Sequence, residues 1–352
     1  MKSPTHSERS YSPDLPRKKV PPAPPTWDTA QWEDDILGSE FRQLTFDLGS
    51  DPDEEGRVST TLIRHQSHRT EPAQTAVLYI HGMTDYFFQT HLAEHFSHNS
   101  FDFFALDLRK CGRSRQAGQT WHYTSHMDHY YPDLSTAVDF LSSKYDSIVL
   151  IGHSTGGLVV VDWLDHIRRT NPTLHSVVTA AILNSPWFDV PLPKALYPFA
   201  YLLIGTVGYF KPFTPFTLGN LGTYGESVHK DYSGEWDFDT RMKPIGGCQK
   251  YFGWMRAVMR AQLKLRRRTI NTGVPVLTLC SSRSHTSMVI DDYSHRSDTV
   301  LDVDQIKQWA PFVSSHSTIV EIEDGMHDLY LSPRPVRDRA LQASTTWLQH
   351  LQ

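Results

Sequence analysis

The chain has 352 residues, 39 % of them hydrophobic and 12 % aromatic, which suits one large or two small globular domains and excludes a wholly disordered or fibrous chain. A net charge of −5 gives no argument for nucleic acid or for an anionic membrane surface as a partner. Three cysteines (Cys111, Cys248, Cys280) are too few and too scattered for a disulfide framework, and an odd count suits a reducing compartment.

Residues 1–30 are rich in Pro, Ser and charge and are expected to form a disordered or extended tail. They contain no apolar h-region and no small-residue cleavage site, so no signal peptide is expected. Residues 42–48 and 58–64 alternate as an antiparallel strand pair, with the acidic run 49–56 as their turn. The short apolar runs 76–80, 103–108, 148–151, 177–183 and 274–279 each read as a buried strand, and 316–322 reads as a last strand. Helical spacing lies between most of them, over 134–145, 155–169, 303–309 and 335–350. Strand alternating with helix predicts an α/β domain with a mostly parallel sheet over 31–186 and 271–352. Residues 187–270 break that rhythm. They combine an aromatic, Pro- and Gly-rich part with a basic helix over 254–268, and are expected to form an inserted helical cap over the carboxyl edge of the sheet. The longest apolar stretch, near 199–204, is far short of a membrane span, so a cytoplasmic protein without stable membrane insertion is expected.

The chemistry concentrates at Gly152-His153-Ser154-Thr155-Gly156, a G-x-S-x-G pattern that follows a β-branched strand and opens an apolar helix. That context predicts a sharp strand-to-helix turn with the Ser154 hydroxyl exposed at the helix N-terminus. A serine needs a base, and the base needs an orienting acid. The base is expected at His327, one of 19 histidines, because its loop past the last strand shares a rim with Ser154. For the acid, Asp302 stands ahead of an apolar helix with Gln305 three residues on, which is an N-cap signature. Asp298 has no such structural task and is preferred, with Asp302 and then Asp291 or Asp292 as alternatives. The oxyanion donors are expected to be the N–H groups of Thr155 and of Met83, the latter in the loop His81-Gly82-Met83. His81, Gly82, Tyr86, His153 and Trp187 are expected to contact substrate. No H-E-x-x-H, C-x-x-C, G-x-G-x-x-G or G-x-x-x-x-G-K occurs, so neither metal nor nucleotide cofactor is expected.

Taken together, HGMTDYF (81–87), LDLRKCGRS (106–114), GHSTGG (152–157), SDTVLDVDQI (297–306) and GMHD (325–328) resemble the α/β-hydrolase superfamily. Within it the chain resembles the branch of monoacylglycerol lipases, lysophospholipases and serine aminopeptidases. The resemblance maps the acid onto Asp298 and the helix cap onto Asp302. Two departures stand out: Lys110-Cys111-Gly112 replaces the usual Gly-His-Gly, and extra residues at roughly 285–297 separate the acid from its strand. The resemblance implies a serine hydrolase of carboxylic acyl esters acting on a small-molecule substrate. Acyl transfer, thioester hydrolysis or aminopeptidase action would use the same groups, with Glu226, Glu235, Asp237 and Asp239 as possible amine binders. A ligand-binding protein without catalysis is the remaining alternative, and no oligomeric state is legible.

Overall fold

The computed structural model describes residues 25–67, 73–217, 221–287 and 289–351. After a 3-10 turn over Trp27–Thr29, the first strands form a short hairpin arm, β1 (Glu33–Asp35) and β2 (Gly38–Ser50), continued antiparallel by β3 (Arg57–His65). The strands β4 (Thr75–Ile80), β5 (Asp102–Asp107), β6 (Ser147–His153) and β7 (Val178–Asn184) follow, with α1 (Thr90–His98), α2 (Tyr131–Ser142), α3 (Thr155–Thr170) and α4 (Pro172–Ser176) between them. The interval after β7 holds α5 (Tyr197–Phe210), the ribbon strands β8 (Pro215–Phe216) and β9 (Lys250–Tyr251), α6 (Gly222–Val228) and α7 (Phe252–Arg266). The chain then returns through β10 (Val276–Ser281), α8 (Val303–Trp309), β11 (Ser317–Ile322) and α9 (Arg334–Gln349).

Among the described residues, nine strands form one sheet in the order β1-β2-β3-β5-β4-β6-β7-β10-β11. From β5 to β11 all neighbours are parallel, whereas β3 runs antiparallel to both β2 and β5. The expected strands all form, and the last, β11, lies at the sheet edge with only Ile322 buried. β4, β6 and β10 are buried almost throughout because helices cover both faces. One apolar cluster fills the side of α2 and α3, where Trp163 is fully buried and donates its ring N–H to Ser135 at 2.9 Å. A second lies against α1 and α9. Because the parallel strands point one way, the loops after β4, β6, β10 and β11 gather at one edge.

One expectation needs correction and two gain detail. The predicted tail over 1–30 lies outside the described residues up to 24, but Trp27 and Ala30 pack against the core while Thr26, Asp28 and Thr29 stay exposed. The Trp27 ring sits 5.5 Å from Phe140 and 5.9 Å from Tyr145, so apolar contact fixes the segment that composition alone read as loose. The aromatic part of 187–270 contains a regular helix, α5. Its Pro198 falls in the first turn, where the missing N–H costs nothing. It is apolar all round, so no 3.6-residue alternation betrays it. The acidic run 49–56 forms the expected turn and also carries buried ion pairs. Asp51 and Glu55 lie 2.5 and 2.7 Å from the buried Lys110 ammonium. That pairing accounts for the unusual Lys110, which could not be buried without carboxylates.

Burial also fixes the charge of several histidines. It pulls His91 down to about 4 and His122 and His153 each to about 3. These rings are neutral when folded but bind a proton when unfolded below about pH 6.5. Unfolding therefore takes up protons on acidification, and stability rises with pH across that window. We predict that unfolding free energy, measured by urea titration, is flat above pH 7 and falls between pH 6.5 and 4. The slope should approach about 1.4 kcal/mol per pH unit for each of the three rings. His122→Phe should flatten it by about a third; a pH-independent stability from 7 to 5 would contradict the assignment of these rings as neutral.

Candidate active site

β6 ends in a turn that only small residues allow. Ser154 has φ 52° and ψ −118°, a positive φ that residues with side chains rarely adopt, and its N–H donates to Asn184 O at 3.0 Å. A Cβ on Gly156 would run into the carbonyl oxygens of Ile80 and His81, and one on Gly82 would lie 3.1 Å from Ser154 Cβ. The two glycines thus let the loop after β4 lie against the serine. The hydroxyl projects at the start of α3, where helix N–H groups face outward.

Ser154, His327 and Asp298, far apart in sequence, meet at this edge. His327 Nε2 is 3.1 Å from Ser154 Oγ, and His327 Nδ1 is 2.9 Å from Asp298 Oδ2. The other oxygen of Asp298 accepts the N–H groups of Val300 and Leu301, each at 2.8 Å. All three side chains are buried. Asp302 instead accepts Asp304 N–H at 3.0 Å and caps α8, and Asp291 pairs with His285 at 2.7 Å. The extra residues before Asp298 do not displace it. Ser284 and Asp298 form a bridge, with Asp298 N–H donating to Arg283 O and His285 N–H to Asp298 O, so the excursion closes on itself beside β10.

Asn184, at the end of β7, joins the two halves. Its carbonyl holds Ser154, its side-chain N–H donates to Asp328 at 2.7 Å, and its side-chain oxygen accepts Leu329 N–H at 3.2 Å. The buried Asp328 carboxylate also accepts Gln89 at 3.3 Å and Tyr330 N–H at 3.0 Å. These residues went unnoticed in the sequence because each carries an ordinary side chain at a strand or loop end. Only the adjacency of Asp328 to His327 hinted at them.

The Met83 and Thr155 N–H groups have no acceptor among the described residues, and both residues border a cavity of about 660 Å³ above Ser154. Gly82, His153 and Trp187 also line it. His81 and Tyr86 do not, which corrects the expectation for them. His81 is spent on backbone, with Nδ1 2.7 Å from Gly82 O and Nε2 accepting Leu108 N–H at 3.0 Å. Tyr86 is buried under the Arg113 guanidinium, and its hydroxyl accepts Asp239 N–H at 2.8 Å. Most of the wall is apolar and comes from the interval after β7, including Phe216, Leu221, Trp254 and Met255. One side is polar: Lys243 lies 2.8 Å from Asp85, and the buried Tyr224 hydroxyl has no partner among the described residues. The edge of the Tyr224 ring packs on His327 at 5.4 Å. His153, 5.0 Å from His327, is held neutral by burial with the neighbouring imidazole adding to the effect. It therefore does not oppose a positive charge on His327.

The parallel sheet, the serine turn and the order Ser, Asp, His along the chain define an α/β-hydrolase fold. Residues 71–331 match the family model described as serine aminopeptidase, S33, and the chain belongs to that family. No curated protein sequence matches it. Among solved structures it is similar to a soluble variant of monoglyceride lipase from Saccharomyces cerevisiae in complex with a substrate analog, at 17 % identity, with 88 % of this chain and 96 % of that one covered and a TM-score of 0.63. It is similar to monoacylglycerol lipase of Paleococcus ferrophilus at 16 % identity, covering 89 % and 100 %, with a TM-score of 0.59. DcsB in complex with its substrate analogue gives 16 % identity, 88 % and 100 % coverage and a TM-score of 0.58.

Among the described residues, no helix is long and apolar enough to cross a membrane. The two aspartates near α8 offer a direct contrast. Asp298→Asn is expected to lower kcat on a p-nitrophenyl ester by roughly 10⁴ while leaving the melting curve in place. Asp302→Ala should cost about 1 kcal/mol of stability and leave kcat within a few-fold. The reverse pattern would exchange their roles.

Proposed function

We propose that the protein is a serine hydrolase of carboxylic acyl esters with an apolar acyl chain, in the manner of a monoacylglycerol lipase or lysophospholipase. The observation that carries this reading is the unbroken path from Asp298 through His327 to Ser154 Oγ, opening into a largely apolar cavity of about 660 Å³. That volume falls within the roughly 300–1,000 Å³ of small-molecule sites. The fold it shares with two monoglyceride lipases is in keeping with it.

In this mechanism Ser154 Oγ attacks the ester carbonyl while His327 Nε2 takes its proton. Asp298 holds the Nδ1–H tautomer and stabilises the imidazolium. The oxyanion is received by the Met83 and Thr155 N–H groups, both free to donate. His327 returns the proton to the leaving alcohol, and water then cleaves the acyl-enzyme by the same route in reverse. The polar side of the cavity, with Asp85, Lys243 and Tyr224, suits the alcohol portion, and the apolar walls suit the acyl chain.

An aminopeptidase would need a free carboxylate to receive the substrate amine. Glu235, Asp237 and Asp239 pair with Arg337, Lys230 and Arg241, and neither they nor Glu226 line the cavity. Asp85 does line it, but Lys243 neutralises it. The ester reading is therefore preferred. Ser154→Ala should fold normally and lose turnover of p-nitrophenyl butyrate by about 10⁴ or more. Aminoacyl anilides should be poor substrates of the unaltered protein. Undiminished ester turnover in the variant, or preferential anilide cleavage, would overturn this reading.

A further inference from the structure

The loop that carries Met83 is gripped from two sides. On the core side, His81 Nε2 accepts Leu108 N–H at 3.0 Å, and Phe87 N–H donates to Asp107 at 2.9 Å. These bonds bracket the stretch 83–86. The stretch itself is held by the interval after β7. Cys248 N–H donates to Thr84 Oγ1 at 3.3 Å, the Lys243 ammonium donates to Asp85 at 2.8 Å, and Asp239 N–H donates to the Tyr86 hydroxyl at 2.8 Å. Among the described residues, every hydrogen bond that reaches Thr84, Asp85 or Tyr86 from outside the loop comes from segment 239–248.

The middle bond is the firmest restraint. Lys243 and Asp85 are 5 and 2 % exposed, so neither charge can be left without the other. A turn places the lysine, with the N–H groups of Met242 and Lys243 on Asp239 O at 2.9 and 3.0 Å. Its ammonium then sits 5.5 to 5.7 Å from the rings of Phe88, Tyr224 and Phe238, which hold it by cation–π attraction. The Asp85 oxygen that receives Lys243 also accepts Tyr86 N–H at 3.0 Å, so the ion pair shapes the backbone. Thr84, between Met83 and Asp85, has φ 57°. A residue with a side chain keeps that conformation only where its surroundings impose it.

An oxyanion donor works only if it is aimed before the charge forms. The Thr155 N–H is aimed by α3, which it opens. The Met83 N–H has no helix behind it, and its direction follows from the backbone of Thr84 and Asp85. We infer that Lys243 is a positioning residue for the oxyanion hole: its ion pair with Asp85 seats segment 239–248 on the loop and directs the Met83 N–H toward the carbonyl held at Ser154. The inference rests on the serine-hydrolase reading of the site and adds that one oxyanion donor is set by chain outside the sheet. Lys243 therefore acts on every ester, including those too small to reach it.

The test compares Lys243→Met with the parent on two esters of different size, ethyl acetate and glycerol monobutyrate, and on trifluoroacetone, whose adduct with Ser154 places an oxyanion in the same hole. We expect kcat to fall on the order of 10²-fold, by the same factor on both esters, with KM within about twofold. The ketone should bind more weakly by that factor too. Lys243→Arg, which keeps the charge, should recover most of the loss. Lys243→Met leaves Asp85 alone in a buried place and should melt earlier, so its fold is verified by circular dichroism and its rates are read below the transition. Thr84→Val with Tyr86→Phe removes the two outer bonds, keeps the ion pair and should lower kcat several-fold at unchanged KM. Should Lys243→Met fail to fold, parent kinetics in this double variant would overturn the inference. A loss confined to the glycerol ester would make Lys243 a substrate contact and overturn it as well. So would turnover at the parent rate in folded Lys243→Met, or a lower kcat with the ketone bound as tightly as before. Ser154→Ala separates the two readings. Ester turnover surviving there removes the hydrolase reading, whereas full activity in Lys243→Met beside a silent Ser154→Ala removes the positioning role alone.

Discussion

Asn184 holds the site in register. Its carbonyl receives the N–H of a serine in a strained conformation, and its amide reaches the two residues that follow the histidine. The serine turn and the histidine loop come from strands separated in sequence, and this one buried residue ties them together through its backbone carbonyl and its side chain. A hydrogen bond at a buried amide is costly to leave unmade, so the clamp limits how far the imidazole can drift from the hydroxyl. The distances from serine to imidazole to carboxylate, each near 3 Å, follow from that restraint and from the two backbone N–H groups that hold Asp298.

Much of the architecture was legible because parallel strands buried on both faces leave continuous apolar runs, as at 76–80 and 148–151. Ser154 and His327 could be nominated for a related reason: the loops that carry them follow such strands, and the fold brings those loops to one rim. Asp298 was separable from Asp302 because capping chemistry is local and Asp302 has a helix to cap. What stayed hidden was determined by contacts distant in sequence. Asn184 and Asp328 look like any strand end and loop residue until the strands are placed side by side. His81 and Tyr86 sit in the right loop, but side-chain direction decides whether a residue faces the cavity, and that depends on partners such as Leu108 and Asp239. Helix α5 was missed because a segment apolar on every side carries no period.

The interval between β7 and β10 does two things with one set of helices. Its inner surface supplies Trp254, Met255 and Lys243 to the cavity, and its outer surface exposes the apolar face of α5 beside Arg256 and Arg260. α7 is common to both, with its buried residues turned inward and its cations outward. The extra residues before Asp298 add Thr286 and Ser287 to the cavity wall while their pinned neck keeps the acid in place.

The central claim is that Ser154 is activated by His327 and Asp298. The most direct measurement is reaction of the intact protein with a fluorophosphonate, followed by mass-spectrometric mapping of the modified residue. The account predicts a single phosphonyl adduct on Ser154 that forms rapidly in the parent and is lost in folded His327→Ala. An adduct elsewhere, no adduct at all, or labelling of Ser154 at the same rate without the imidazole would contradict it.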